Sequence, residues 1–508
     1  MEKTSVQQGH PKGLYLLFFT EMWERFSYYG MRAIFILFLT KAMLMGDKDA
    51  SNIYGSFTGL VYLTPLLGGY LCDRYLGNRR SIFVGGILMA IGQFLMFLCA
   101  SSVAPEGGAS STLLWAGLTV LIVGNGFFKP NISTMVGQLY PQGDRRVDSA
   151  FTIFYMGINL GAFFSPLICG GLGDTGNIAD FKWGFLAACI GMIVSVISFE
   201  LAKNKYLTGP DGQPIGMPVQ KIDIKNIAII LGSIVLIFFL LSFKNMFNSD
   251  TDIIGYLIYG SMIVMPLIII TDKSLTAQER SRIWVIFILA FFVIFFWGAF
   301  EQAGASLTLF ADKQTNRNIG GWEMPASWFQ SVNPLAIIAL APIFSWFWGV
   351  LHKRNMEPAS PTKMAWGLAL VCVGYVVIAL GVKGVDSSVK ISMFWLLSLY
   401  LLHTMGELCL SPIGLSMVSK LAPIRFSSLL MGTWFLANAA ANKFAGTLSS
   451  LIPGGGEGGE GAATTSFMGY QMSNLYEFFM LFIIMTGIAA AILFVLSGIL
   501  RKMMHGIK

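Results

Sequence analysis

Long apolar runs dominate the chain. From residue 15 to residue 501, stretches of about 20 or more residues with few or no charges follow one another. In lipid, every backbone N–H and C=O must find its partner inside the protein, so only helices and closed barrels can cross. The runs are too long for barrel strands and lack alternating polarity, so the chain reads as an all-α polytopic membrane protein. Only 12% of the 508 residues are charged, about half of what a soluble chain carries. No stretch remains for a sizeable soluble domain.

The runs predict fourteen helices, over about 15–42, 52–72, 80–101, 112–139, 149–172, 181–202, 224–243, 252–271, 282–310, 327–351, 364–383, 391–419, 427–451 and 474–501. Basic residues fall in alternate connections. They include Lys3 and Lys12, then Arg74, Arg79 and Arg80, then Arg145 and Arg146, then Lys203, Lys205, Lys221 and Lys225. Later ones are Lys273, Arg280 and Arg282, Lys353, Arg354 and Lys363, Lys420 and Arg425, and finally Arg501, Lys502 and Lys508. By the positive-inside rule both termini are expected in the cytoplasm. Residues Met1 to Lys12 are polar, and the apolar run that follows carries charges at its centre, so it reads as a first span and not a cleaved signal. The net charge of +7 is spread over these connections and is no nucleic-acid patch. The six cysteines lie in or beside apolar runs without metal-ligand spacing, which predicts neither a disulfide framework nor a zinc site.

The polar, proline-containing stretch 203–223 divides the chain after six helices, and two nearly uncharged spans precede the last six. Six plus two plus six predicts a two-lobed transporter: residues 1–202, a linker and helix pair over 203–281, and residues 282–508. The run Pro453–Gly461 reads as a flexible outer loop.

An ionisable side chain at membrane depth costs about 2.5–3.5 kcal/mol unless paired or wetted. Glu21, Arg25, Tyr29 and Arg32 recur at helical spacing in the first span, with Glu24 beside them. Such a stripe requires a wet cavity or a partner. Lys129 is a further cation in the first half, while Glu301 and Glu407 are anions in the second. That polarity suits a zwitterion held between lobes, because arginine grips carboxylates bidentately and lysine acts as a point charge. An extended chain covers at most about 3.3–3.6 Å per residue, so fixed charges two or three residues apart select short peptides. Charge alone also admits single amino acids.

Motifs narrow the reading. Gly69, Asp73, Gly77, Arg79 and Arg80 form a connection that resembles the G-x-x-x-D-x-x-x-G-x-R-R loop of the major facilitator superfamily. Glu21, Glu24, Arg25, Phe26, Tyr28, Tyr29 and Gly30 resemble the E-x-x-E-R-F-x-Y-Y-G signature of the proton-dependent oligopeptide transporter (POT) family. Phe154-Tyr155-Met156-Gly157-Ile158-Asn159-Leu160-Gly161 resembles that family's F-Y-x-x-I-N-x-G, and Phe128-Lys129-Pro130-Asn131 and Gly406-Glu407-Leu408 with Ser411-Pro412 match further pieces. The resemblance implies a major facilitator fold with an inserted helix pair, in a bacterial inner membrane. It implies proton-driven import of di- and tripeptides, and of peptide-like drugs, without a cofactor.

The resemblance also implies roles. The peptide carboxylate belongs near Arg25, Arg32 and Lys129, with Tyr29 and Tyr62 adjacent. The amino terminus belongs near Glu407, Asn159 and Asn333, with Tyr155 and Ser411 in the same motifs. Trp297, Trp434 and Phe435 line side-chain pockets, where aromatic walls accept varied residues. Proton coupling falls to Glu21 and Glu24 beside Arg25, with Glu301 closing on Arg32 and Glu407 on the opposite lobe. Animal members carry a histidine after the tyrosine of the second helix, whereas here Gly55 follows Tyr54, which excludes that proton route. His403 lies one turn before Glu407 and reads as a core or interfacial histidine, and His10, His352 and His505 read as cytoplasmic without a specific role. Pro65, Pro130, Pro166, Pro334, Pro342 and Pro412 are expected points of bending.

The alternative on the same fold is a proton-coupled drug exporter, but the set Arg25, Arg32 and Lys129 argues against its more apolar cavity. An anion carrier of the same family is expected to lose the E-x-x-E-R set, which is complete here. No nucleophile–base or metal motif points to an enzyme.

Overall fold

The computed structural model describes residues 9–141, 144–218, 224–247, 251–386, 389–453 and 464–507. Lys3, Lys221, Lys508 and the glycine-rich run 454–461 lie outside the described residues. Fourteen long helices appear among the described residues. They are α1 (Lys12–Leu37), α2 (Asp47–Leu71), α3 (Asn78–Ser101), α4 (Ser111–Gln138), α5 (Arg146–Gly173), α6 (Ile178–Tyr206), α7 (Ile224–Phe247), α8 (Ile253–Ile270), α9 (Ala277–Lys313), α10 (Ala326–Lys353), α11 (Ser360–Val382), α12 (Met393–Leu421), α13 (Ser427–Ser449) and α14 (Leu475–Met503). Ten of them are long and apolar enough to cross a membrane by length and composition. α1 owes its lower hydropathy to the charged stripe through its middle.

The exterior is apolar in the way lipid demands. Along α14, Ile484, Ile488, Ile492, Val495 and Ile499 are exposed at helical spacing, while Phe478, Phe482, Ala489 and Leu493 face inward. α1 packs on α5 and α6, α3 on α4 and α6, and α2 on α4. In the second half α11 packs on α12 and α14, α9 on α13, and α10 on α12. The two sets meet chiefly where α2 lies along α13 and α5 along α10. The inserted pair is divided between them: α7 rests on α4, and α8 rests on α13 and α2.

Small residues set the closest crossings. A Cβ on Gly161 would lie 2.2 Å from the Met22 carbonyl oxygen, so the last glycine of the second motif is what lets α5 lie against α1. A Cβ on Gly55 would lie 2.6 Å from the Gly446 Cα, so no histidine fits beside Tyr54 without parting α2 from α13.

The connection between α2 and α3 turns at Gly77, whose φ is +71°. Asp73 in that connection is exposed, and Arg79 makes the principal tie, donating to the carbonyls of Ile215 at 2.7 Å and Leu207 at 2.5 Å. The expected proline bends are present in part, since a π-helical turn starts at Pro166 within α5. The break that shapes the interior has no proline. α9 is interrupted by a 3₁₀ turn over Glu301–Gly304, after which Ala305 adopts φ −126° and ψ −105°. Gln302 holds the break by donating to the carbonyls of Gly298 at 3.0 Å and Ala445 at 2.9 Å.

Candidate functional site: a central cavity

A cavity of about 240 Å³ lies between the two helix sets. Its wall brings together residues from α1, α2, α5, α9, α10, α12 and α13. From the first set come Tyr29, Arg32, Tyr62, Tyr155 and Asn159, and from the second Trp297, Glu301, Asn333, Glu407, Ser411, Trp434 and Phe435. These positions span more than 400 residues of chain and were each singled out from the sequence.

One end is closed by ionic contacts. The 3₁₀ break places Glu301 against Arg32, and the two form a buried ion pair across the sets. Arg32 also donates to the Tyr54 hydroxyl at 2.6 Å. Gly304 makes room for this group, because a Cβ there would lie 1.8 Å from that hydroxyl oxygen. Beyond it, Lys41 pairs with Asp312 at 2.6 Å and Lys313 with Asp47 at 2.6 Å. Ser51 and Ser449 hydroxyls meet at 2.9 Å, and Ser331 donates to the Phe163 carbonyl at 2.8 Å. The wall is more open toward the basic end of the bundle, where Tyr155 and Leu415 are 42% and 40% exposed; Arg32 and Glu301 are 8% and 5% exposed.

The anionic side of the cavity is built on α12. Glu407 accepts a hydrogen bond from Asn333 Nδ2 at 2.8 Å, and Asn333 also donates to Thr404 at 3.1 Å. This fixes one carboxylate oxygen. Asn159 uses one N–H of its side-chain amide on the Tyr155 carbonyl at 2.9 Å, which leaves its carbonyl oxygen able to accept from a ligand. Trp434 packs against α12 at Gly414, where a Cβ would lie 2.3 Å from the indole ring.

The rest of the charged stripe sits behind the wall. Arg25 pairs with Glu21 at 3.2 Å, and its Nη2 donates to Glu24 at 2.7 Å. Asn125 on α4 also donates to Glu24, at 3.3 Å. Glu21, Glu24 and Arg25 are almost fully buried and do not contribute to the cavity lining. Lys129 likewise stays behind, with its ammonium 3.9 Å from the centroid of the Tyr62 ring. Of the three cations expected near the peptide carboxylate, Arg32 lines the cavity, and Arg25 and Lys129 do not. Arg32 lies at the closed end, Arg25 is held by two glutamates, and Lys129 is screened by Tyr62.

Sequence reasoning passed over several residues. Gln330, Tyr400 and Asn438 also line the cavity. Asn438 follows Trp434 by one helical turn and was reachable by the stripe argument, whereas Gln330 sits on a 3₁₀ segment with no periodicity to betray it. His403 lines the cavity while packing between Phe300 and Tyr375, at ring-centroid distances of 6.0 and 4.9 Å. His10 and His352 make contacts of their own, to Tyr140 and Glu357. Lys443, buried within α13, is a further cation inside an apolar run, and its charge is legible in the sequence.

Fold and cavity together define a polytopic helical membrane protein with a charge-lined chamber shared by two helix sets. The POT family model matches residues 79–457. The chain is 38% identical over 455 residues to the uncharacterized transporter YclF of Bacillus subtilis (strain 168), covering 87% of this chain and 88% of that one. It is 37% identical over 467 residues to the peptide transporter YePEPT of Yersinia enterocolitica subsp. palearctica serotype O:3 (strain YE-P4), with the same shares covered. It also resembles a crystal structure of a glutamate-to-glutamine mutant of peptide transporter POT in complex with alafosfalin. That match has a TM-score of 0.82 and 34% identity, and covers 98% of this chain and 97% of the other. The chain belongs to the POT family; it is a transporter and not an enzyme.

Proposed function

We propose that the protein is a proton-coupled symporter that imports di- and tripeptides by alternating access between lobes 1–202 and 282–508. In this reading it sits in a bacterial inner membrane with both termini in the cytoplasm, so the closed end of the cavity is the outer end. The observation that carries the proposal is the Arg32–Glu301 pair roofing a chamber whose other polar anchor is Glu407 with Asn333. A zwitterionic peptide matches those anchors: its ammonium is received by Glu407 and the Asn159 carbonyl, and its carboxylate competes for Arg32 and Lys129. The wall aromatics Trp297, Trp434 and Phe435 receive side chains through area burial, which has no directional demand. Relatives named as peptide transporters, and the neighbour holding alafosfalin, support this substrate class.

A carboxylate clamped to a guanidinium binds a proton weakly, and one facing apolar surroundings binds it strongly. Protonation of Glu24 or Glu21 releases Arg25 toward the chamber, and protonation of Glu301 releases Arg32 and opens the outer end. The protein does not depend on a cofactor in this scheme, because the proton gradient supplies the work.

Reconstituted protein is expected to accumulate labelled dipeptide when the outside is acid and the interior negative. Unlabelled di- and tripeptides are expected to block uptake, and free amino acids are not. Glu24→Gln is expected to abolish accumulation against a gradient while retaining exchange of labelled for unlabelled peptide. Continued accumulation by Glu24→Gln removes Glu24 from the coupling role. Outward movement of a hydrophobic cation in place of peptide uptake identifies a drug exporter.

A further inference from the structure

We infer that Lys443, Ser56 and Asp252 form a latch through which the inserted helix pair holds the outer end of the transporter shut. Three elements converge on one ammonium. Lys443 belongs to α13, and its side chain is only 3% exposed. Its Nζ donates to Ser56 Oγ on α2 at 3.0 Å, across the interface of the two sets. The same Nζ lies 3.0 Å from Asp252 Oδ2. Asp252 caps α8, its other carboxylate oxygen accepting from Gly255 N at 2.9 Å.

A buried ammonium requires both an opposite charge and hydrogen-bond acceptors. The inserted pair provides the charge and the opposite lobe provides the acceptor. Asp252 of the hairpin is thus a carboxylate in contact with the ammonium, and Ser56 of the opposite lobe accepts a hydrogen bond from it. The surroundings favour a device over a chance contact. Gly55 and Gly446 touch one turn away, and a Cβ on Gly59 would meet Ile258 of α8, Ala439 and Lys443 within 3.3 Å. The closed arrangement is thus the one in which α2, α8 and α13 are packed together and the ammonium is satisfied on both sides. Opening the outer end parts α2 from α13, removes Ser56 from Lys443 and lets water reach the ammonium, so the Asp252 charge contributes more in the closed state than in the open one. Lys443 is a positioning residue in this scheme, since it lies outside the central cavity.

This inference rests on the alternating-access reading. The variants Ser56→Ala and Asp252→Asn weaken the latch from its two sides without deleting the lysine. Each is expected to lower the KM for external dipeptide roughly three- to tenfold, by raising the share of outward-open protein, and to lower maximal uptake because reclosure is slowed. The effect of Asp252→Asn is expected to shrink in a Lys443→Met background. Hydrogen exchange, which needs no substrate, is expected to quicken at the outer ends of α2 and α13 and to stay unchanged at their inner ends. A fall in maximal uptake with unchanged KM and unchanged exchange overturns the latch. Quickened outer exchange in a protein that takes up no dipeptide sustains the latch and overturns the peptide reading instead.

Discussion

Arg25 illustrates what a charged residue at depth has to solve. Its guanidinium is held by Glu21 and Glu24 and lies 5.4 Å from the centroid of the Tyr28 ring, so burial is compensated on several sides. The residue is stored, not displayed, which fits a group that acts only after a proton has reached its partners. Glu407 is the opposite case. It lines the chamber, and one of its oxygens is fixed by Asn333. An ion-assisted hydrogen bond contributes about 1.5–3 kcal/mol. Glu407→Gln is therefore expected to raise the concentration of dipeptide needed for half-maximal competition by roughly tenfold to a hundredfold. An N-acetylated dipeptide, which has no ammonium, is expected to lose far less. Equal losses for both compounds, measured in the same competition assay, place the peptide amino terminus elsewhere.

Among the helices, the interruption of α9 and the crossing of α2 with α13 govern the chamber. The 3₁₀ turn Glu301–Gly304 redirects the chain so that Glu301 faces Arg32, and so that Asp312 and Lys313 reach Lys41 and Asp47. The α2–α13 crossing is closed because glycine faces glycine. Gly446→Val places side-chain atoms where a lone Cβ would already lie 2.5 Å from the Gly55 Cα. The expected outcome is a protein that still inserts but cannot close its outer end. Binding of dipeptide from outside is retained, and accumulation falls at least tenfold, on the scale of the 1–3 kcal/mol that overpacking costs. Wild-type accumulation by this variant shows that the two helices have room to spare.

For the whole molecule, the decisive quantity is the charge moved per cycle. A neutral zwitterion carried with one proton transfers one positive charge inward. Each such charge gains about 2.3 kcal/mol per 100 mV, enough for roughly 50-fold accumulation of a dipeptide at equal pH. Peptide accumulation in vesicles is expected to follow an imposed potassium-diffusion potential with that slope. Accumulation indifferent to the potential contradicts net charge movement and with it this form of symport.

Much of this protein is written locally. The helices follow from apolar runs because lipid leaves the backbone no other way to satisfy itself. The charged stripe on α1 follows from a spacing of four, four and three, and the chamber residues Tyr29, Tyr155, Asn159, Glu407 and Ser411 lie in motifs within single helices. What the linear chain left undecided is how those charges are shared. Arg32, Glu301 and Tyr54 meet because α9 breaks without a proline. Arg25 and Lys129 are withdrawn from the chamber by neighbours on α1 and α2. Lys443 gains its counter-charge from a helix pair that its own lobe does not contain. Pairing energies depend on distance and on exclusion of water, and both are set only when helices distant in the chain are packed together.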